Sequence, residues 1–147
     1  MIGNVRVDEV PALLAFTARI VASSVDAAAE SKAFFVENIR RNIERWAEAP
    51  GQSVHLKFVE GEALLGVVLV REYWNLCGLF VEPAHQRRGI GTALVREAVA
   101  RCRSKGVATS IRLNAAYNAV PFYVALGFRE VAGSRPVHSA VAMELEL

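Results

Sequence analysis

Cysteine is scarce in this 147-residue chain: there are two, Cys77 and Cys102. No CxxC pair and no cysteine–histidine spacing of a zinc site is present, so a disulfide framework, a zinc finger and a redox dithiol are excluded. No metal site is expected. An excess of one charge is also lacking. The 17 Lys+Arg stand against 15 Asp+Glu, net +2, which argues against a general nucleic-acid binder or an anionic-membrane binder. Long apolar runs are missing too: the longest, residues 63–70, is far short of the ~20 residues a membrane helix needs. Met1 to Asp8 lack the cationic start and apolar run of a secretory leader. A reducing cytoplasm is the expected compartment. No repeat and no low-complexity linker interrupts the chain.

What is present suits one packed domain over residues 1–147. Hydrophobic residues make up 53%, charged residues 22%, and mean hydropathy is +0.27. That is too apolar for disorder and long enough to bury a core without staples. A short first strand is expected at 5–7, then a helix from 8 to about 25 with Pro11 in its first turn. A second helix is expected over 31–49, with Phe35, Ile39, Ile43 and Trp46 as its apolar stripe. Glu37–Arg41 and Arg40–Glu44 are i,i+4 pairs on its other faces. Pro50-Gly51 ends it.

The period then changes to two. Val54, Leu56 and Phe58 alternate with Ser53, His55 and Lys57, a half-buried strand. Residues 64–70 are apolar on both faces and read as a central strand. Tyr73-Trp74-Asn75 marks a turn, and 76–82 the next strand, stopped by Pro83. These three form an antiparallel meander. A helix over 89–104 and a strand over 108–114 imply a parallel crossover. A helix over 116–126, capped by Gly127, a strand over 128–132 and a last strand over 141–147 complete the order β-α-α-β-β-β-α-β-α-β-β. The fold class is α/β (α+β): a mixed, mostly antiparallel sheet of six to seven strands with about four helices.

The stretch that carries chemistry is Val81-Glu82-Pro83-Ala84-His85-Gln86-Arg87-Arg88-Gly89-Ile90-Gly91-Thr92. A strand ends, a loop follows, and a helix opens among glycines. First-turn N–H groups have no internal partner, and the helix dipole is positive there. Glycine lets a ligand approach the backbone. The construction suits a phosphate or pyrophosphate, with Thr92 adding a hydroxyl and Arg87 and Arg88 adding charge. A glycine turn with close helix–sheet packing explains the stretch equally well in isolation. A P-loop is excluded by the missing GKS/GKT, and a dinucleotide fingerprint by Leu94 in place of its third glycine.

Gln86-Arg87-Arg88-Gly89-Ile90-Gly91 resembles the Q/R-x-x-G-x-G/A signature of the Gcn5-related N-acetyltransferase (GNAT) superfamily. Leu79-Phe80-Val81-Glu82-Pro83 resembles that family's fourth strand. Pro121-Phe122-Tyr123-Val124-Ala125-Leu126-Gly127-Phe128 resembles its late P-F-Y-x-x-x-G-F hallmark, and Asn114-Ala115-Ala116 the N-A-S before it. Both hallmarks occur in order at the family's separation, and the resemblance covers nearly the whole chain.

The resemblance implies acetyl transfer from acetyl-CoA, the cosubstrate, to a primary amine of a small molecule or peptide in a direct ternary complex. It implies splayed parallel fourth and fifth strands with the pantetheine arm between them. Phe80 and Val81 would offer backbone hydrogen bonds, the Val81 N–H as oxyanion donor, and residues 86–92 would cradle the pyrophosphate: Gln86, Arg87, Arg88, Gly89, Gly91 and Thr92. Tyr123 would be the acid at the leaving thiolate, or a core aromatic beside Phe122 and Phe128. The fourth-strand glutamate that some members use has no counterpart in Asn75-Leu76-Cys77-Gly78; Glu72, Glu82 and His85 are the base candidates, His85 reading also as a solvated loop residue. Ala116 stands where some relatives carry a CoA-contacting Asn, with Asn114 or Asn118 as substitutes or helix caps.

The acceptor wall would include Phe34, Phe35, Tyr73, Trp74 and His138, the Tyr73-Trp74 pair reading equally as turn packing. Arg96, Arg101, Arg103, Lys105 and Arg112 read as a solvated face or as a patch for the CoA 3′-phosphate. A homodimer is open. Two other readings stand beside the enzyme: a non-catalytic CoA-binding sensor or partner module, and a different phosphoryl-ligand binder.

Overall fold

A computed structural model of the chain describes residues 1–23, 28–136 and 140–147. The elements are β1 (Ile2–Asn4), α1 (Val10–Ser23), α2 (Ala29–Glu48), β2 (Ser53–Glu60), β3 (Ala63–Arg71), β4 (Asn75–Val81), α3 (Ile90–Lys105), β5 (Ser110–Ala116), α4 (Val120–Ala125), β6 (Arg129–Glu130) and β7 (Ala140–Glu146). Seven strands form one sheet in the order β1-β2-β3-β4-β5-β7-β6. Every pairing is antiparallel except β4–β5.

The expected element order holds, with local corrections. The first strand is Ile2–Asn4, not 5–7. At Arg6 the backbone N–H donates to Glu9 Oε1 and the Glu9 N–H to Arg6 O, which turns the chain into a 3-10 turn before α1. The late helix starts at Val120, not 116. Pro121 lacks an N–H and belongs in a first turn, so β5 runs on to Ala116 and a 3-10 turn over Tyr117–Ala119 intervenes. The strand expected over 128–132 is two residues long. β2 is not simply half-buried: His55 is 5% exposed, because Trp46 of α2 sets its ring edge-on to the imidazole at 4.3 Å. Phe35 is exposed at 44%, and the α2 stripe begins at Ile39.

Each sheet face carries its own core. α3 and α4 cover one face, where Leu94, Val95, Ala98 and Tyr123 pack on Leu56, Val68, Val70, Ile111 and Met143. α1 and α2 cover the other, where Leu13, Phe16, Ile39, Ile43 and Trp46 pack on Val67 and Leu69. β3, in the middle, is buried continuously from Leu65 to Val70. Gly66 admits α3: a β-carbon there would lie 2.9 Å from Leu94 Cδ1 and 3.1 Å from Ile90 Cγ2.

Candidate functional site

The parallel pair opens almost as soon as it forms. β4 and β5 register at Asn75 and Arg112, where the Arg112 N–H donates to Trp74 O at 2.7 Å. Further along β4, residues 77–81 have no β5 partner. The backbone there alternates between its neighbours. The Glu82 N–H donates to Leu65 O, and Val81 stands opposite Gly66. That register turns the N–H and C=O of Phe80 to β3, and those of Leu79 and Val81 to the gap. The same alternation on β5, set by Leu147 N–H donating to Thr109 O, turns the Asn114 backbone to the gap.

At the Val81 end of the gap a short 3-10 turn, Pro83–His85, leads into α3. Arg87 takes φ +66° and Gly89 φ +79°, left-handed values that fold the loop back over the helix start. The first backbone bond of α3 is Ala93 N–H to Gly89 O. Among the described residues, the N–H groups from Arg87 to Thr92 have no acceptor, and they lie at the helix start, where the dipole is positive. The Gln86 amide donates to Val81 O at 3.4 Å, tying the loop to β4. Arg88 pairs with Glu60 at 3.0 Å, while Arg87 and Gly89 are exposed and Thr92 half-buried.

The late helix closes the other side. A β-carbon on Gly91 would lie 3.4 Å from the Phe122 ring and 3.6 Å from Val81 Cγ2, so the glycine loop, the end of β4 and the start of α4 meet at one point. Next to Phe122, Tyr123 is 8% exposed, its ring edge-on to Phe122 and Phe128. Burial pushes its hydroxyl up to about 12, so Tyr123 carries its proton at neutral pH.

The base candidates separate. Glu72 lies in the β3–β4 turn, where its carboxylate accepts from Trp74 Nε1. That turn is the length of β4 from Val81, roughly 20 Å. Glu82 stands at the loop, but Arg19 of α1 holds it with two bonds of 3.0 and 2.6 Å and lowers its carboxyl below the usual value. His85 is half-buried in the loop, its Nδ1 sealed and unpartnered. Asn114 and Asn118 are exposed. Asn114 alternates with the buried Leu113 and Ala115, so its side chain leaves on the face opposite α3 and α4.

Tyr73 is no open platform: its hydroxyl donates to Gly51 O at 2.7 Å and Lys105 lies over its ring. Trp74 and Phe34 are 42% and 64% exposed. His138 lies outside the described residues. Arg101 pairs with Glu97 and Asn4, and Arg112 with Glu144. Arg101 and Lys105 are at the C-terminal end of α3, remote from the loop. The sequence reading passed over the Arg19–Glu82 clamp and the strand glycines Gly66 and Gly78. An isolated glycine in a strand signals close approach or a site; the ion pair spans 63 residues and has no local signal.

The model of the acetyltransferase (GNAT) domain matches residues 21–147. A search of the curated proteins returns no match. Among solved structures the chain is similar to a GCN5-related N-acetyltransferase from Rhodopseudomonas palustris (14% identity, 100% of this chain and 95% of that one, TM-score 0.78). It is similar to the PaiA N-acetyltransferase from Thermoplasma acidophilum in complex with coenzyme A (18%, 100% and 98%, 0.78). It is also similar to the ribosomal-protein-S18-alanine N-acetyltransferase from Escherichia coli (18%, 99% and 92%, 0.68).

Proposed function

The chain belongs to the GNAT acetyltransferase family, and on that footing we propose that it moves the acetyl group of acetyl-CoA to a primary amine of a small molecule or peptide by direct attack in a ternary complex. The observation that carries this is the run of acceptor-free amides from Arg87 to Thr92 at the mouth of the β4–β5 gap. Their number and the exposed Arg87 suit a pyrophosphate, with Gln86, Arg88, Gly89, Gly91 and Thr92 shaping the cradle. The Val81 N–H is the proposed oxyanion donor, preset toward the gap where negative charge gathers on the thioester oxygen. Leu79, with the same orientation, takes the second backbone position in place of Phe80. The Asn114 backbone faces them from β5.

Tyr123 is the proposed acid. With its hydroxyl near 12 and a thiol near ~8.5, complete transfer to the thiolate is uphill by about 5 kcal/mol. Its role is therefore to donate a hydrogen bond to sulfur as the C–S bond breaks. Glu82 and His85 stand beside the loop as candidates for taking the amine proton through water. Acetyl-CoA is the cosubstrate of the family's reaction. Two cysteines free of disulfides suit a reducing cytoplasm. In a thiol-release assay with acetyl-CoA, some members of a panel of primary amines and N-terminal peptides are expected to turn over. Binding of acetyl-CoA without turnover on any of them would overturn the proposal and favour a sensor.

A further inference from the structure

At the end of α3 away from the glycine loop a cleft of about 380 Å³ opens beside the start of β2. Lys105 lines it, and α3 rises ~1.5 Å per residue, so the cleft lies roughly 22 Å from Ile90. None of the residues assigned above to the coenzyme lines it. Its volume falls within the roughly 300–1,000 Å³ range of small-molecule sites.

The cleft exists because β1 stops early. The Val5 N–H donates to His55 O at 2.9 Å, and at Arg6 the chain turns away toward α1. β2, however, begins at Ser53. On an antiparallel strand the N–H and C=O of one residue face the same side, and successive residues alternate. The backbone groups of His55 face β1, so those of Ser53 face the same edge, past the point where β1 has ended. Among the described residues, the His55 N–H and the Ser53 N–H and C=O have no hydrogen-bond partner. Both residues line the cleft, and His55 is 5% exposed. An unpaired backbone group away from water costs about as much as a lost hydrogen bond. An edge that offers both donors and an acceptor matches an amide.

The walls supply charge and apolar surface. Among the described residues Arg101 and Lys105 line the cleft and no Asp or Glu does. Arg101 Nε donates to Glu97 and Nη1 to Asn4, which fixes the guanidinium and leaves Nη2 without a partner among the described residues. Lys105 lies over the Tyr73 ring at 5.6 Å, and Tyr73 is held in turn by its bond to Gly51 O. Two cations against the one Glu97 carboxylate leave a single net positive charge, which suits a monoanion. Trp46 reaches the cleft from α2, on the other face of the sheet.

We propose that this cleft is a second ligand site, for a small monocarboxylate that carries a secondary amide, in chemical class an N-acyl amino acid. The amide pairs with the Ser53 edge, the carboxylate takes Arg101 Nη2 and Lys105, and the side chain lies against Trp46 and Tyr73. The site is independent of the acetyl-transfer reading.

The test uses the Trp74→Phe variant, in which Trp46 is the one remaining tryptophan and reports on the cleft by fluorescence. N-acetylleucine is expected to give a saturable change. N-acetylleucine amide, without the carboxylate, and isocaproate, without the amide, should each bind about tenfold or more weakly. Arg101→Gln combined with Lys105→Gln should weaken N-acetylleucine by about tenfold or more and leave acetyl-CoA affinity unchanged by calorimetry. In the wild-type chain the amide NMR signals of Ser53 and His55 should move with N-acetylleucine. No saturable change, equal binding of the amide analogue, or unchanged affinity in the double variant would overturn the proposal. So would shifts confined to residues 86–92, which would place the ligand in the glycine loop. Tighter binding of an N-acetylated tetrapeptide would overturn the small-ligand class in favour of a docked strand.

Discussion

The two sides of β4 use different materials. Toward the gap, β4 and the loop after it present backbone: the N–H groups of Leu79 and Val81 and the free amides from Arg87 to Thr92. Toward α1 and α2, β4 presents a small hollow at Gly78, lined by its own neutral side chains and those of four further elements. Backbone amides are the same whatever the side chain, so the first construction suits one fixed ligand, the proposed pyrophosphate. Side chains can be exchanged one at a time, so the second can change without moving the first. A substitution on one side should therefore leave the other side untouched.

The largest test of that separation is Gly89→Glu. Its φ of +79° disfavours any side chain, and the space around its β-carbon is open, so the substitution puts a carboxylate beside the cradle. Like charges at close range cost several kcal/mol, and acetyl-CoA affinity should fall by about 10²-fold or more by calorimetry. Gly89→Ala, with the strain but not the charge, should lose far less. Unchanged affinity in the glutamate variant would remove the loop from the site.

Tyr123→Phe comes next. Turnover should fall by about 10²-fold if the hydroxyl is the acid, with acetyl-CoA affinity nearly constant. The melting temperature should also hold, because the hydroxyl has no protein partner among the described residues and the ring keeps its contacts with Phe122 and Phe128. Wild-type turnover would leave Tyr123 as packing alone.

The contrast between the two sides also explains what was legible in advance. The proposed backbone site rests on residues that free the backbone, so Gly89 and Gly91 and the arginines beside them stand out in the sequence as candidates. Tyr123 is a candidate through the resemblance of residues 121–128 to the family's late hallmark, not through a physical signal of its own. The α1/α2 side gave no such notice. His55 alternates with Val54 and Leu56 as a solvent-facing residue would, and only the arrival of Trp46 from α2 buries it. Thr17 and Asn42 sit in ordinary helix sequence and gain meaning only when α1 and α2 cross the same three strands. Tyr73-Trp74 drew attention because exposed aromatics are conspicuous, yet Tyr73 is committed to Gly51 and Lys105. Strand parity is a further case: Phe80 and Val81 are adjacent, and only the register with β3 tells which backbone faces the gap.

On the α1/α2 side the expected acid response is specific. His55 titrates near 4 in the folded chain against 6.5 when free. The unfolded chain therefore takes up a proton first as the pH falls. Stability from this residue is level above about pH 6.5 and declines between 6.5 and 4, by at most about 3 kcal/mol. His55→Leu should remove that decline from urea titrations run across the window. A wild-type imidazole that titrates near 6.5 by NMR would contradict its burial.

The smallest effect should come from Arg19, which crosses between the two sides: it belongs to α1, on the face away from α3 and α4, yet grips Glu82 at the loop. The pair lowers the Glu82 carboxyl below 4.5, so its contribution is present above that pH and lost as the pH falls through the lower folded value. Arg19 is 58% exposed at its side chain, so solvent and salt screen the interaction. Arg19→Ala should lower the melting temperature by a few degrees at most at pH 7. The difference should shrink in high salt and as the pH falls through the lowered Glu82 value. If the pair also holds α1 in place over the hollow, the acceptor KM should rise while the acetyl-CoA KM stays within about threefold. A rise in both would mean that α1 and the phosphate loop are one mechanical unit, and that the two sides of β4 are less separable than their materials suggest.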